Sequence, residues 1–113
     1  MPTVTVTFNE AKKKVEFHPK GGEVVMTSRG KIKFQKPNPQ DPFVFDSFTL
    51  NPEDLAQFPR TVQADEILVD DLFTDKQQKA YKYTVVLKLN DGSKQVGDPQ
   101  IVNKPGAMAA VRR

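Results

Sequence analysis

The sequence predicts an all-β fold: a sandwich of two antiparallel sheets built from seven or eight short strands. Three observations carry this expectation. Apolar and polar residues alternate with a period of two along most of the chain. Gly, Pro, Asn and Asp recur about every ten to twelve residues as turn signals. No segment sustains a helical pattern. A small closed barrel is the alternative architecture for the same elements.

Each element has its own local reason. In TVTVTFN, Val4, Val6 and Phe8 alternate with Thr3, Thr5 and Thr7, which marks a half-buried strand. KKVEFHP repeats the pattern with Val15 and Phe17 inward and Glu16 and His18 outward, and NEAKKK joins the two as a hairpin connection. HPKGGE is turn chemistry, and EVVMTS is a third strand. In GKIKFQK, Ile32 and Phe34 face inward while Lys31, Lys33 and Gln35 face outward, where lysines also discourage pairing between exposed edges. Pro37, Pro39 and Pro42 make KPNPQDP a loop. FVFDSFTL follows, with Phe43 and Phe45 inward and Phe48 a candidate for the same face. NPEDLAQF is the one helical hint, with Asn51 as N-cap, Pro52 at the first helical position and acids in the first turn. Pro59 limits it to a single turn. DEILVDDLF is a strand with Ile67 and Val69 on one face, and AYKYTVVLKLND is the longest strand. Asn90 to Ser93 form the hairpin turn after it, and PQIVN is the last strand.

One detail points to a particular kind of sandwich. In DKQQKAYKYTV an acid in a turn precedes Tyr81 and Tyr83 at the head of a strand. Immunoglobulin-like sandwiches place a tyrosine there, whose hydroxyl bonds back to the preceding backbone. The chain has no Cys and no Trp, so the likeness is one of architecture alone.

With 113 residues, 37% hydrophobic and 27% charged, the chain fits a single folded domain over residues 1–113, with 3–105 as its core and 106–113 as a flexible tail. The absence of cysteine excludes disulfides, thiolate metal sites and a Cys nucleophile. The N-terminus shows no leader pattern, and no apolar run approaches the roughly 20 residues that cross a bilayer. A cytoplasmic location is therefore expected, a removed leader being the alternative, and no membrane contact is expected. The formal charge of +3 hides a segregation. Residues 1–40 carry eight Lys/Arg against three acids, residues 41–75 one against nine, and residues 76–113 eight against two. Blocks of opposite sign are expected to face one another across the fold, so the net charge is a poor sign of nucleic-acid binding.

Few constellations suggest chemistry. His18 is the only histidine, and none of Ser28, Ser47 or Ser93 lies in a strained Gly-x-Ser-x-Gly turn, so no hydrolytic triad and no enzymatic activity are expected. Asp65 and Glu66 lie about 20 Å of strand away from Asp70 and Asp71. Asp70, Asp71 and Asp75 can share a calcium ion if their loop folds back, as in a calcium-dependent or carbohydrate-binding module. Solvated turn carboxylates that balance the basic blocks are the competing expectation, and no cofactor is expected. Lys12, Lys13, Lys14, Lys31 and Lys33 form a basic stripe, but Phe17, Ile32 and Phe34 alternate with them and point the other way. Nucleic acid is accordingly not an expected partner. A second copy of the chain or another protein is.

In GDPQIVNKP, Asp98 is placed to bond the backbone of its own turn, Pro99 opens a closing edge strand and Ile101 is its inward anchor. Val102 falls on the other face, and Pro105 stops the strand. Together with TVTVTF, FVFDSF and YKYTVVLK, this ending resembles the bacterial DP-EP family of small domains over about residues 3 to 105. The most specific part of the resemblance is carried by Asp98, Pro99, Ile101, Asn103 and Pro105. A family of bacterial inclusion-body proteins has similar Asp-Pro-x-Ile endings. The resemblance implies an immunoglobulin-like sandwich with no assigned function and supplies no catalytic residues. The Glu-Pro pair of the family name has no counterpart near the end, where Lys104-Pro105 stands.

Overall fold

A computed structural model describes residues 1–105 of the chain; the expected tail at 106–113 lies outside the described residues. The fold is all-β and sandwich-like. In order, the strands are β1 (Thr3–Asn9), β2 (Lys14–His18), β3 (Val24–Met26), β4 (Gly30–Gln35), β5 (Phe43–Thr49), β6 (Arg60–Val62), β7 (Glu66–Asp71), β8 (Lys79–Lys82), β9 (Thr84–Leu89), β10 (Lys94–Gly97) and β11 (Gln100–Asn103). Short 3-10 segments occupy Lys20–Gly22 and Pro52–Gln57.

One layer is a five-stranded sheet of order β2-β1-β4-β7-β6. The other consists of two three-stranded groups, β10-β9-β5 and β3-β11-β8. These groups share their chain runs. β8 passes into β9 through Tyr83, and β10 into β11 through Asp98 and Pro99. The Tyr83 N–H donates to the Pro99 carbonyl at 3.0 Å across the break. The single long strand expected over AYKYTVVLKLND is therefore two. Pro99 has no N–H with which to continue the ladder, so the pairing is interrupted at that point.

The pairing is antiparallel except at two places, where β1 lies parallel to β4 and β3 parallel to β11. The last pairing corrects an expectation: β11 is not an edge strand but lies between β3 and β8. Between the layers, the Phe34 ring of β4 meets Tyr83 at 5.3 Å and Phe48 of β5 at 5.4 Å, while Phe48 stacks on Tyr83 at 4.9 Å. Val4, Val6, Ile32, Ile67, Val69, Val85, Leu87 and Ile101 complete a core drawn from both layers. Phe48 faces inward because the ladder between β5 and β9 shifts between Phe45 and Ser47. The irregularity moves the inward parity by one residue.

The turns follow their sequence chemistry. Gly92 adopts φ +86° in the β9–β10 turn, where the Asp91 carboxylate accepts the Ser93 N–H at 2.8 Å. The NPEDLAQF segment is a 3-10 helix with Pro52 at its start, but the Asn51 side chain makes no capping bond; its carbonyl accepts the Asp54 N–H instead. Phe58, just beyond this segment, is fully buried and packs edge-on against Tyr81 at 4.9 Å.

The segregated charges do meet. Among the described residues, the ion pairs are Arg29–Asp70, Lys33–Glu66, Lys36–Asp65, Lys79–Asp54 and Lys94–Asp46. Every one joins the acidic middle block to a basic flank. Lys36 is the buried member: its ammonium donates to the Phe43 carbonyl and lies 5.0 Å from the Phe43 ring, holding the proline-rich loop onto the sheet.

Candidate functional site

A buried polar cluster occupies the end of the molecule where β7 and β11 finish. Ile67, Val69 and Asp71 alternate inward along β7, and Ile101 and Asn103 do so along β11. The parity that buries the apolar residues therefore also buries an aspartate and an asparagine, both without exposed surface. Isolated buried polar groups are costly, and these two meet. The Asn103 Nδ2 donates to Asp71 Oδ1 at 3.2 Å and to Asp75 Oδ2 at 3.0 Å. The Phe73 N–H also donates to Asp71 Oδ1, at 2.9 Å.

Outward from this pair the network continues through side chains of three segments. The Tyr81 hydroxyl donates to the Asp75 carboxylate at 2.7 Å and accepts from Gln57 Nε2 at 2.7 Å. The Gln57 Oε1 accepts from the N–H and the hydroxyl of Thr74, at 2.9 and 3.0 Å. Lys79 lies 4.9 Å from the Tyr81 ring and pairs with Asp54 at 3.9 Å. The cluster thus ties the 3-10 helix, the loop after β7 and strands β8 and β11 together.

Its electrostatics favour neutral forms. Burial pushes the Asp71 carboxyl above its ordinary range, and the like charges of Asp75 and Asp70 push the same way; the bonds from Asn103 and Phe73 oppose them. Burial, reinforced by the bond to Asp75, raises Tyr81 as well. Burial alone raises Tyr83, whose hydroxyl donates to the Gly22 carbonyl at 2.8 Å. Two atoms inside the cluster have no partner: Asp71 Oδ2 and Asn103 Oδ1.

The expected site residues are only partly brought together. Asp71 and Asp75 meet through Asn103, but Asp70 faces the other side of β7, opposite Lys31 and 3.8 Å from Arg29. The calcium set Asp70, Asp71 and Asp75 is thus not assembled, because adjacent strand residues point to opposite faces. Among the described residues, no group of three or more His, Cys, Asp or Glu is placed to hold a metal ion. Asp98 is exposed and accepts the Thr84 hydroxyl at 2.8 Å, not the backbone of its own turn. Pro99 is buried, Ile101 is a core residue and Pro105 is half-buried in a turn. Val102, although on the opposite face, is buried too. Tyr81 reaches the acid six residues before it, but through that residue's side chain. His18 is exposed at the end of β2, and among the described residues no serine hydroxyl bonds it. Lys12, Lys13, Lys14 and Lys31 are exposed, while Ile32 and Phe34 lie in the core.

Gln57 and Lys36 carried no sequence signal, since each depends on a loop conformation. Asn103 and Asp71 did carry one, through their parity with Ile101 and Val69. No family model and no curated protein matches the chain. No helix among the described residues is long and apolar enough to cross a membrane.

Proposed function

We propose that the protein is a cytoplasmic, non-enzymatic interaction module that associates with a second copy of itself through the outer face of the β5-β9-β10 group. The observation that supports this is a set of valines on that face. Val96 is 54% exposed and Val44 is 39% exposed. Val86 stands directly opposite Val96 in the β9–β10 ladder. Lys88 and the Lys94–Asp46 pair, at 3.2 Å, border them. Each copy therefore offers an apolar centre with both signs of charge at its rim, which a copy related by a two-fold axis can answer.

The strand order supports an immunoglobulin-like form of sandwich. β4, β7 and β6 stand in the places of strands B, E and D, and β5, β8/β9 and β10/β11 in those of C, F and G. Membership of the DP-EP family belongs to the same proposal and rests on the Asp98-to-Pro105 pattern. Sedimentation velocity from about 10 µM to about 1 mM tests the function. The expected result is association that grows with concentration and is lost in Val96→Glu without a change in melting temperature. A monomer throughout, or undiminished association of Val96→Glu, overturns it.

A further inference from the structure

The two unpartnered atoms in the buried cluster belong to side chains that are already bonded to each other. Asp71 Oδ1 accepts two N–H groups, from Phe73 and Asn103, while Asp71 Oδ2 has none. Asn103 spends its amide nitrogen on two carboxylates, Asp71 and Asp75, which fixes the direction of the amide and leaves its Oδ1 without a donor. One oxygen of the pair lacks a donor and the other is free to carry a proton. A single hydrogen supplies what both lack.

We infer that the folded protein holds Asp71 as a neutral carboxylic acid, protonated on Oδ2, which donates to Asn103 Oδ1 and closes a two-bond acid–amide ring between β7 and β11. A carboxylic acid and a primary amide are complementary in this arrangement, each giving one hydrogen bond and taking one. The surroundings agree. After burial itself, the like charges of Asp75 in the following loop and of Asp70, the neighbour of Asp71 on the other face of β7, raise its pKa. The nearby cations are engaged elsewhere: Arg29 with Asp70 and Lys79 with Asp54, while Lys31 on β4 lies opposite Asp70. From β8 and the 3-10 helix come Tyr81 and Gln57, and both turn to the Asp75 side of the cluster.

The ring makes the junction of β7 and β11 sensitive to pH, with a definite sign. An aspartate raised above the ordinary 3.8 binds more protons folded than unfolded. Its contribution to stability is complete below that value, falls as pH rises towards the folded pKa and levels off above it. Asp71→Asn keeps the geometry, because an amide at position 71 also gives one bond and takes one, and it cannot ionise.

Carboxyl carbon NMR of the wild type, with Asp71 assigned through its own Cβ, reads the proton directly. The expected midpoint lies above the ordinary aspartate value. Melting curves between about pH 3 and pH 7 should lose the Asp71-dependent fall in Asp71→Asn, which should melt at or above the wild-type temperature at pH 7. A wild-type midpoint at or below the ordinary value overturns the inference. So does an Asp71→Asn protein that melts well below the wild type at pH 7, or a wild-type melting temperature raised by added calcium and left unmoved in Asp71→Asn. Either of the last two would make Oδ2 the oxygen of an ionised carboxylate.

Discussion

Ile101 has no exposed surface and lies in register between Val24 of β3 and Tyr81 of β8. Truncation there removes apolar contacts from the middle of a group of strands. Ile101→Ala should cost about 2–4 kcal/mol by chemical denaturation, a cavity in a site with little room to collapse. Asp98, three positions earlier, gives the contrast. Its bond to Thr84 is exposed, so Asp98→Ala should cost about 1 kcal/mol or less in the same experiment. At this scale a period of two was enough to place Ile101, Phe34, Ile67 and Val69 in the core. Extended by one more step along each strand, the same period buries Asp71 and Asn103. What the period cannot express is that these two residues, 32 positions apart, are bonded to each other. That depends on which strands become neighbours.

Among the elements, the β1–β2 hairpin shows what a linear pattern leaves out. Its two strands and their inward residues were legible, but its seat was not. The Phe17 ring lies between Gly22 and Gly97, and a Cβ added at Gly97 would stand 2.6 Å from Phe17 Cζ. A Cβ at Gly22 would stand 2.8 Å from both Phe17 and Pro99, at a φ of +68° that already favours glycine. At Gly97 the backbone is ordinary, so the obstacle to a side chain is the ring above all, with Val15 Cγ1 next at 3.2 Å. Gly97→Ala should therefore cost about 1–3 kcal/mol. Most of that loss should disappear when Phe17→Leu is the background, a coupling that a double-mutant cycle measures. The two parallel pairings were equally hidden. Each joins strands that are not consecutive, and neither leaves a mark in its own sequence.

For the molecule as a whole, charge segregation along the chain becomes charge alternation in space. Five ion pairs each cross from the acidic block to a flank, and four of them have a lysine or arginine side chain at least 34% exposed. Pairs of that kind contribute about 0–1 kcal/mol each and are screened by salt. Raising sodium chloride from about 0.1 M to about 1 M should lower the unfolding free energy by no more than about 2 kcal/mol at fixed pH. A much larger loss in denaturation curves would mean that the pairs act as a coupled network. The blocks were plain in the sequence, and so was the expectation that they meet. Which lysine meets which acid was not, because the partners are set by strand register.

The interior place of β11 has a consequence for how the chain is made. β3 waits for a partner 77 residues downstream, since Val24 pairs with Ile101. On a ribosome, where the earlier segments emerge first, the five-stranded layer has all its strands once Asp71 is synthesised. The other layer then has only β3 and β5. Until Asn103 has left the exit tunnel, β3 and β8 flank an empty lane. Met26, Tyr81 and the Asp71 carboxyl then face solvent where β11 will lie. Arrest of synthesis before that residue should leave a nascent chain that proteases cut readily, and release beyond it should protect the whole domain in one step.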